Sequence, residues 1–156
     1  MRVIMLDIDG VLNSVGSFIY NNRLNLLGLT DIPTHESFDP IACSNLQYIL
    51  EELPDIKVVI SSTWRKYVPL HALQEMLKAN HVLSERLIGV TPVMDGYRGK
   101  EIEAYLNDHT EVTEFVIIDD DSDMIPYMHR LIQTDGKNGL TFTDAEKVIE
   151  YFGGTK

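Results

Sequence analysis

Short apolar runs alternate along the chain with segments whose apolar residues recur at helical spacing. A continuous apolar run is typical of a parallel strand that is buried on both faces. Five strands are predicted in this way, at Arg2–Leu6, Lys57–Ile60, Leu87–Val90, Phe115–Ile118 and Arg130–Thr134. Strands that alternate with helices predict an α/β fold with a five-stranded, mainly parallel sheet and helices on both faces.

Four helices are predicted between and after these strands. Asp39 suits an N-cap and Pro40 a first turn, so one helix begins there and ends at Pro54. The last helix is predicted to begin with a capping box from Thr143 to Glu146. Apolar residues at helical spacing mark the other two helices and the inward face of the last: Leu70, Leu73, Met76 and Leu77; Ile102, Tyr105 and Leu106; Val148, Ile149 and Phe152.

Two stretches lack a periodic pattern. Residues 13–38 are mixed in character, and we predict a flap or small insertion there, within one domain that spans residues 1–156. A second loop is predicted through Pro92, Gly96 and Gly99.

Composition narrows the possible partners and location. The 13 basic and 24 acidic residues give a net charge of −11. This charge disfavours binding to an anionic membrane or to a long stretch of nucleic acid, because Lys and Arg make the contacts with phosphate groups. No apolar run approaches the ~20 residues that cross a bilayer. The single cysteine, Cys43, lies on a predicted core-facing helix and is expected to be buried. A reducing, cytoplasmic location is therefore predicted.

Unusual polar residues follow three of the predicted strands. Asp7 and Asp9 follow the first, Ser61 and Ser62 the second, and residues 119–123 the fourth, with four aspartates. Ligands of open parallel sheets bind at the carboxyl ends of the strands. If the first and fourth strands are neighbours, their carboxylates converge and repel one another, and a hard divalent cation such as Mg²⁺ would offset that repulsion.

A metal among carboxylates, with hydroxyls and cations nearby, indicates phosphoryl transfer. An aspartate can act as the nucleophile and form an aspartyl-phosphate. A second aspartate two residues on can protonate the leaving oxygen and later activate water. A hydroxyl at a strand end can hold phosphoryl oxygens, and a Lys or Arg is needed to neutralise charge.

Three motifs in the right order resemble those of the haloacid dehalogenase-like (HAD) superfamily. Asp7-Ile8-Asp9-Gly10-Val11-Leu12 resembles its first motif, Asp-x-Asp-Gly-x-hydrophobic. Ile60-Ser61 resembles the second, an apolar strand that ends in Ser or Thr. Ile118-Asp119-Asp120, followed by Asp123, resembles the acidic fourth motif. The resemblance covers nearly the whole chain.

The resemblance implies a role for each residue that matches a motif. Asp7 would be the nucleophile and a Mg²⁺ ligand, and Asp9 the general acid and base, with its backbone carbonyl on the metal. Ser61 would bind the phosphoryl group, with Ser62 as the alternative, and Gly10 is assigned to the substrate side. The remaining metal ligands would be Asp119 and Asp120, one directly and the other directly or through water, with Asp123 behind them.

The third HAD motif is a Lys or Arg, and two candidates stand side by side. Arg98 and Lys100 both lie at the start of the helix that contains Ile102. We expect Lys100 to neutralise the charge at the nucleophile and Arg98 to face the substrate phosphate. The reverse assignment stays open.

A narrower resemblance concerns the segments Ser61-Ser62-Thr63-Trp64-Arg65, Arg98-Gly99-Lys100-Glu101-Ile102 and Gly139-Leu140-Thr141. They resemble the small HAD domains associated with RNA-repair and with phage or bacterial proteins. This resemblance implies a phosphatase that acts on a nucleotide or a nucleic-acid 3′ end. Arg65 would contact a substrate phosphate, unless it is a surface charge. Trp64 is expected to pack at the strand–helix junction rather than stack on a base.

The insertion after the first motif is too short for a large cap domain, so a minimal cap or none is expected. The open site would take a nucleotide, a sugar phosphate or a nucleic-acid end. Two other functions stay open. One is a receiver-type signalling domain that is itself phosphorylated, although Ser61 stands where such domains place the acceptor aspartate. The other is a catalytically silent binding module with a HAD-like fold.

Overall fold

The computed structural model describes residues 1–29 and 38–153. Within them, five parallel strands form one sheet in the order β3-β2-β1-β4-β5. The strands are β1 (Arg2–Leu6), β2 (Lys57–Ile60), β3 (Leu87–Val90), β4 (Glu114–Asp119) and β5 (Leu131–Gln133). The predicted fold class is confirmed, and each predicted strand is present to within about one residue at either end.

The helices are α1 (Val15–Leu26), α2 (Pro40–Glu52), α3 (Leu70–Ala79), α4 (Arg98–Asp108) and α5 (Phe142–Tyr151), with 3₁₀ turns at Thr63–Lys66, Ser84–Arg86 and Met128–Arg130. Asp39 caps α2 as predicted, because its Oδ1 accepts a hydrogen bond from the Ile41 amide at 2.9 Å. No helix among these described residues is long and apolar enough to span a membrane.

The central strands β1, β2 and β4 bury both of their faces, and alternate residues point to opposite sides. Odd-numbered residues of β1, such as Val3 and Met5, pack with Ile102 and Tyr105 of α4 in the smaller core cluster. Even-numbered residues pack in the larger cluster with α2, α3 and α5. Cys43 is buried in that larger cluster, and burial raises the pKa of its thiol to about 12. The predicted packing role of this cysteine is confirmed.

Three local predictions were wrong. The capping box of α5 is formed by Thr141 and Asp144, not by Thr143 and Glu146. The Thr141 hydroxyl accepts from the Asp144 amide at 3.2 Å, and Oδ2 of Asp144 accepts from the Thr141 amide at 3.3 Å. Residues 13–38 are not irregular throughout, since Ser14 caps the twelve-residue helix α1. None of the residues of α1 is buried, so its sequence has no core-facing stripe of apolar residues that would predict a helix. Residues 30–37 of that segment lie outside the described residues.

Gly99 was predicted in a loop but lies in the first turn of α4. A Cβ at this position would stand 2.0 Å from the carbonyl oxygen of Ile125. Only glycine therefore lets the start of α4 lie against the loop that follows β4. This contact sets the position of Arg98 at the edge of the sheet.

Candidate active site

The alternation of the strands places three sequence-predicted polar residues on one side of the sheet. Asp7, Ser61 and Asp119 continue the odd-numbered series of β1, β2 and β4, which faces α4. The parallel ladder continues into these positions, because the Asp7 amide donates to the Ile118 carbonyl at 3.0 Å and the Ser61 amide to the Leu6 carbonyl at 2.9 Å. The carboxyl ends of β1, β2 and β4 therefore meet beneath the start of α4.

Asp7, Asp119 and Asp120 form a compact carboxylate cluster. One oxygen from each lies within 4.8 Å of the other two. Burial and the neighbouring Asp7 raise the pKa of Asp119 to about 7, and the same two causes raise the pKa of Asp120. These shifts mean that the cluster is short of positive charge. A donor set made only of oxygens, at this spacing, suits a hard divalent cation such as Mg²⁺.

One guanidinium nitrogen bridges two members of the cluster. Nη1 of Arg98 donates to Oδ1 of Asp7 and to Oδ2 of Asp119, each at 2.8 Å. Asp123 fixes the start of α4, since its Oδ2 accepts from the Arg98 amide at 3.0 Å and its carbonyl from the Gly99 amide at 3.1 Å. The sequence predicts Asp123 behind the metal ligands. In the structure, its contacts with the two amides hold the backbone of Arg98 at the start of α4.

The structure does not support the assignment of Lys100 as the cation that neutralises charge at Asp7. Lys100 is exposed, and its Nζ lies 5.0 Å from the centre of the Tyr97 ring. Successive residues of an α-helix are about 100° apart around the axis, so Lys100 points roughly opposite to Arg98. The reverse assignment, which the sequence left open, fits the structure: Arg98 is the cation beside Asp7.

Asp9 lies at the edge of the cluster and is exposed. Its Oδ2 accepts a hydrogen bond from the indole Nε1 of Trp64 at 2.9 Å, and its Oδ1 accepts from Nδ2 of Asn13 at 3.3 Å. Trp64 also packs as predicted, because its ring lies 5.9 Å from that of Phe38, centre to centre. The contact between Trp64 and Asp9 joins residues 55 positions apart and was not predicted.

Gly10 brings the first motif and the acidic strand end together. Its φ is +78°, and a Cβ there would stand 2.2 Å from Cγ of Asp120. The residue lines the pocket, as its assignment to the substrate side requires. Its main contribution in the structure is space: the turn after Asp9 can approach the Asp120 carboxylate only without a side chain.

The two candidate hydroxyls differ in position. Ser62 lines the pocket, whereas Ser61 is fully buried beneath it. The Ser61 hydroxyl has no hydrogen-bond partner among the described residues. A buried hydroxyl without a partner is costly, so this oxygen is suited to a ligand or water that would satisfy it.

Arg65 does not reach the pocket, and the expectation that it contacts a substrate phosphate is wrong. Its side chain is 1% exposed. The guanidinium donates to the carbonyls of Ser61, Ser62, Thr91 and Pro92 at 2.6–3.1 Å and pairs with Glu101 at 2.5 Å. Because these carbonyls come from the ends of β2 and β3, Arg65 ties the two strand ends to α4. It is neither a phosphate ligand nor a surface charge.

A pocket of about 810 Å³ opens above the cluster. Two of its walls come from segments to which the sequence analysis assigned no site residue. One is formed by the start of α1, including Val15 and Phe18, and the other by the turn of residues 135–137, including Lys137. The two walls are joined, since the amide of Val15 donates to the Gly136 carbonyl at 3.0 Å. The position of this turn directly after β5 was the available signal, because strand-end loops gather at the ligand edge.

Comparison with known proteins identifies the family of the chain. Residues 3–145 match the model of the HAD domain in Swiss Army Knife RNA repair proteins. The chain belongs to this family. The match extends from β1 into α5, so it includes every element that brings a residue to the carboxylate cluster. The resemblance to the HAD superfamily and to its RNA-repair members is confirmed.

A solved structure has a similar fold. The HAD domain of the effector protein Lem4 from Legionella pneumophila superimposes with a TM-score of 0.52 and 18% sequence identity. The alignment covers 98% of this chain and 94% of that chain. At this identity the similarity supports the fold alone. No curated protein sequence matches the chain at a significant level.

The strand order argues against the receiver-type alternative. Receiver domains have the order 2-1-3-4-5, whereas the sheet here has the order 3-2-1-4-5. β1 is therefore central and has β2 and β4 as its two neighbours, which places Asp7 between Ser61 and Asp119. The family match leaves the HAD-like fold with two functions to separate, an enzyme and a silent binding module.

Proposed function

We propose that the protein is a Mg²⁺-dependent phosphomonoesterase that acts through an aspartyl-phosphate on Asp7. The observation that supports this proposal most directly is the environment of Asp7. Among the residues that the structure describes, it is the one carboxylate that contacts Arg98 at 2.8 Å, belongs to the three-carboxylate cluster and also lines the pocket. A nucleophile in this position has a cation beside it and open access to a substrate.

In the first step, an oxygen of Asp7 attacks phosphorus and the bond from phosphorus to the leaving oxygen breaks. Asp9, as the acid, gives its proton to that leaving oxygen. The product alcohol departs, and the phosphoryl group stays on Asp7. Asp9 is two residues from the nucleophile and at the pocket wall, so it can reach the leaving-group side.

In the second step, water attacks the phosphorus of the aspartyl-phosphate. Asp9 accepts a proton from this water, and the bond between phosphorus and the Asp7 oxygen breaks to release inorganic phosphate. The same carboxyl group therefore serves as acid and then as base, and it returns to its starting state. Arg98 balances negative charge on Asp7 and on the transferring group in both steps.

Mg²⁺ would be held by Asp7, Asp119 and Asp120, with the Asp9 carbonyl as the further expected ligand, and it would supply charge neutralisation at the phosphoryl oxygens. The donor set supports this assignment because it is made only of oxygens and is short of positive charge. Ser61 and Ser62 are the proposed phosphoryl contacts. The unpartnered Ser61 hydroxyl supports a role for that residue.

The proposed substrates are nucleotides and nucleic-acid 3′-phosphates, with sugar phosphates as the smaller alternative. The family's description as a domain of RNA repair proteins supports this class. The pocket supports it as well, since about 810 Å³ of open space leaves room for more than a phosphate. The charge of −11 favours contact with a terminus rather than with a long stretch of nucleic acid. A cytoplasmic location remains a prediction.

Phosphate release tests the proposal. The purified protein is assayed on an aryl phosphate, nucleotides, sugar phosphates and 3′-phosphorylated oligonucleotides, with Mg²⁺ or with a chelator. We expect Mg²⁺-dependent turnover that Asp7→Asn abolishes while the melting temperature changes little. Turnover that persists in Asp7→Asn would remove the mechanism. A folded protein that binds Mg²⁺ but turns over none of these substrates would favour the silent binding module.

A further inference from the structure

The acid–base candidate Asp9 is held by a side chain outside the motifs that led to the proposed mechanism. Its Oδ2 accepts the indole hydrogen of Trp64 at 2.9 Å, a distance typical of a well-formed hydrogen bond. The second oxygen, Oδ1, has the longer contact with Asn13 at 3.3 Å. Among the described residues, Asp9 forms no ion pair. The indole is therefore its shortest described side-chain contact.

The donor itself is rigid. Trp64 lies in the 3₁₀ turn that begins directly after Ser62, and its amide hydrogen-bonds to the Ser62 hydroxyl at 3.4 Å. Its ring packs against the buried ring of Phe38 and against the larger core. An exposed carboxylate such as Asp9 would otherwise sample several rotamers. A donor fixed by the core can hold that carboxylate in one orientation.

We propose that Trp64 is a positioning residue for Asp9. The hydrogen bond occupies Oδ2 and fixes the plane of the carboxyl group, which leaves Oδ1 as the oxygen that exchanges a proton with the leaving group and with water. Catalysis is sensitive to orientation at this level, because a misplaced acid loses much of its rate advantage. The inference rests on the proposed function of Asp9, and it adds a residue that contacts neither phosphorus nor metal.

Two other roles for Trp64 make different predictions. A packing residue would affect stability and would lower activity on every substrate to the same degree. An aromatic platform for a base would raise KM for substrates that contain a base. A positioning residue instead has its largest effect where proton donation matters most, on phosphate esters whose leaving oxygen is strongly basic.

The first experiment needs no activity. The chain has one tryptophan, so a nitrogen-15 NMR spectrum contains one indole N–H signal. We expect this signal to shift and to exchange faster with solvent in Asp9→Ala, which removes the acceptor. Asp121→Ala, which removes another pocket acid, is the matched control and should leave the signal in place. An indole signal that is unchanged in Asp9→Ala would overturn the proposal, whether or not the protein is a phosphatase.

The second experiment measures kcat/KM of Trp64→Phe on a series of aryl and alkyl phosphates. The variant retains an aromatic ring and lacks only the donor. We expect a loss about tenfold greater on alkyl phosphates than on aryl phosphates with acidic leaving groups. In an Asp9→Asn background the same substitution should add no further dependence on the leaving group. Equal losses across the series, or a rise in KM alone, would overturn the positioning role.

Discussion

Arg65 and Arg98 lie at the same edge of the sheet, yet they have different roles in the structure. Both form ion pairs: Arg65 with Glu101 in the first turn of α4, and Arg98, at the start of α4, with Asp7 and Asp119. Arg98 lines the pocket with a side chain that is 13% exposed, whereas that of Arg65 is 1% exposed. The first faces a place where a substrate can enter, and the second does not.

The number of satisfied donors separates the two roles. Arg65 donates to four backbone carbonyls and to Glu101, so it could bind a phosphate only by breaking existing bonds. Arg98 directs one nitrogen at two carboxylates that are themselves short of positive charge. An arginine beside a motif is thus a candidate phosphate-binding residue only if its N–H groups remain free to bind a phosphate.

Of the two arginines, Arg98 is expected to have the larger effect on activity, and Arg98→Met tests this. The variant loses the charge beside Asp7, and we expect kcat/KM to fall by ~10²–10³ with the fold retained. Lys100→Met is the matched control, since it removes an exposed cation two residues away and should change kcat/KM less than about twofold. Steady-state phosphate release measures both. A larger loss in Lys100→Met than in Arg98→Met would reverse the assignment of the two cations.

The largest effect on stability is expected for Arg65→Met. It leaves Glu101 buried and without its ion-pair partner, together with four backbone carbonyls that have lost a donor. Breaking a buried pair in this way costs about 3–5 kcal/mol of unfolding free energy. Urea denaturation measures this loss, and adding Glu101→Leu should restore part of it. If Arg65→Met is as stable as the wild type but binds substrate weakly, Arg65 is a ligand after all.

The next comparison replaces the acid beside each arginine with its amide, Asp119 beside Arg98 and Glu101 beside Arg65. We expect smaller changes in unfolding free energy, and the two changes should have opposite signs. The pKa of Asp119 is raised from 3.8 to about 7, so this group stabilises the folded state at low pH and loses that contribution as the pH rises through 7. In metal-free protein above pH 7, Asp119→Asn should therefore raise the unfolding free energy. Glu101→Gln should lower it, because Arg65 then lacks a counter-charge.

Urea denaturation in chelator at about pH 8 and about pH 4 measures this difference. The gain of Asp119→Asn should vanish at the lower pH, where the wild-type carboxyl is already protonated. Metal should reverse the order at the higher pH, since Asp119 is a proposed ligand. A destabilised Asp119→Asn at high pH without metal would mean that the contact with Arg98 outweighs the repulsion from Asp7.

The sheet and the acidic motifs could be predicted because their signals are local. Continuous apolar runs indicate strands. Asp7 directly follows the apolar run of β1, and Asp119 is the last residue of β4. The roles of Arg98 and Lys100 could not be predicted in the same way, because they depend on where α4 begins. A start at Arg98 turns Lys100 away and leaves Glu101 near the Arg98 side, and that start depends on Asp123 and on the close approach of Gly99.

The contacts of Arg65 and of Trp64 were missed for one physical reason, which is dependence on distant segments. The acceptors of Arg65 come from the ends of two strands and from α4, and the hydrogen bond between Trp64 and Asp9 spans 55 positions. Helix α1 was missed for a different reason. With none of its residues buried, its sequence lacks the apolar stripe that predicts a helix.

Gly10 has a consequence for how the protein tolerates sequence change. A single added methyl group at this position would overlap the Asp120 carboxylate, and the positive φ would be strained as well. The residue has no functional group, yet we expect replacements here to displace Asp120 from the carboxylate cluster. In a saturation-mutagenesis survey scored by function, this position would rank with the acids of that cluster although it takes part in no proposed chemical step.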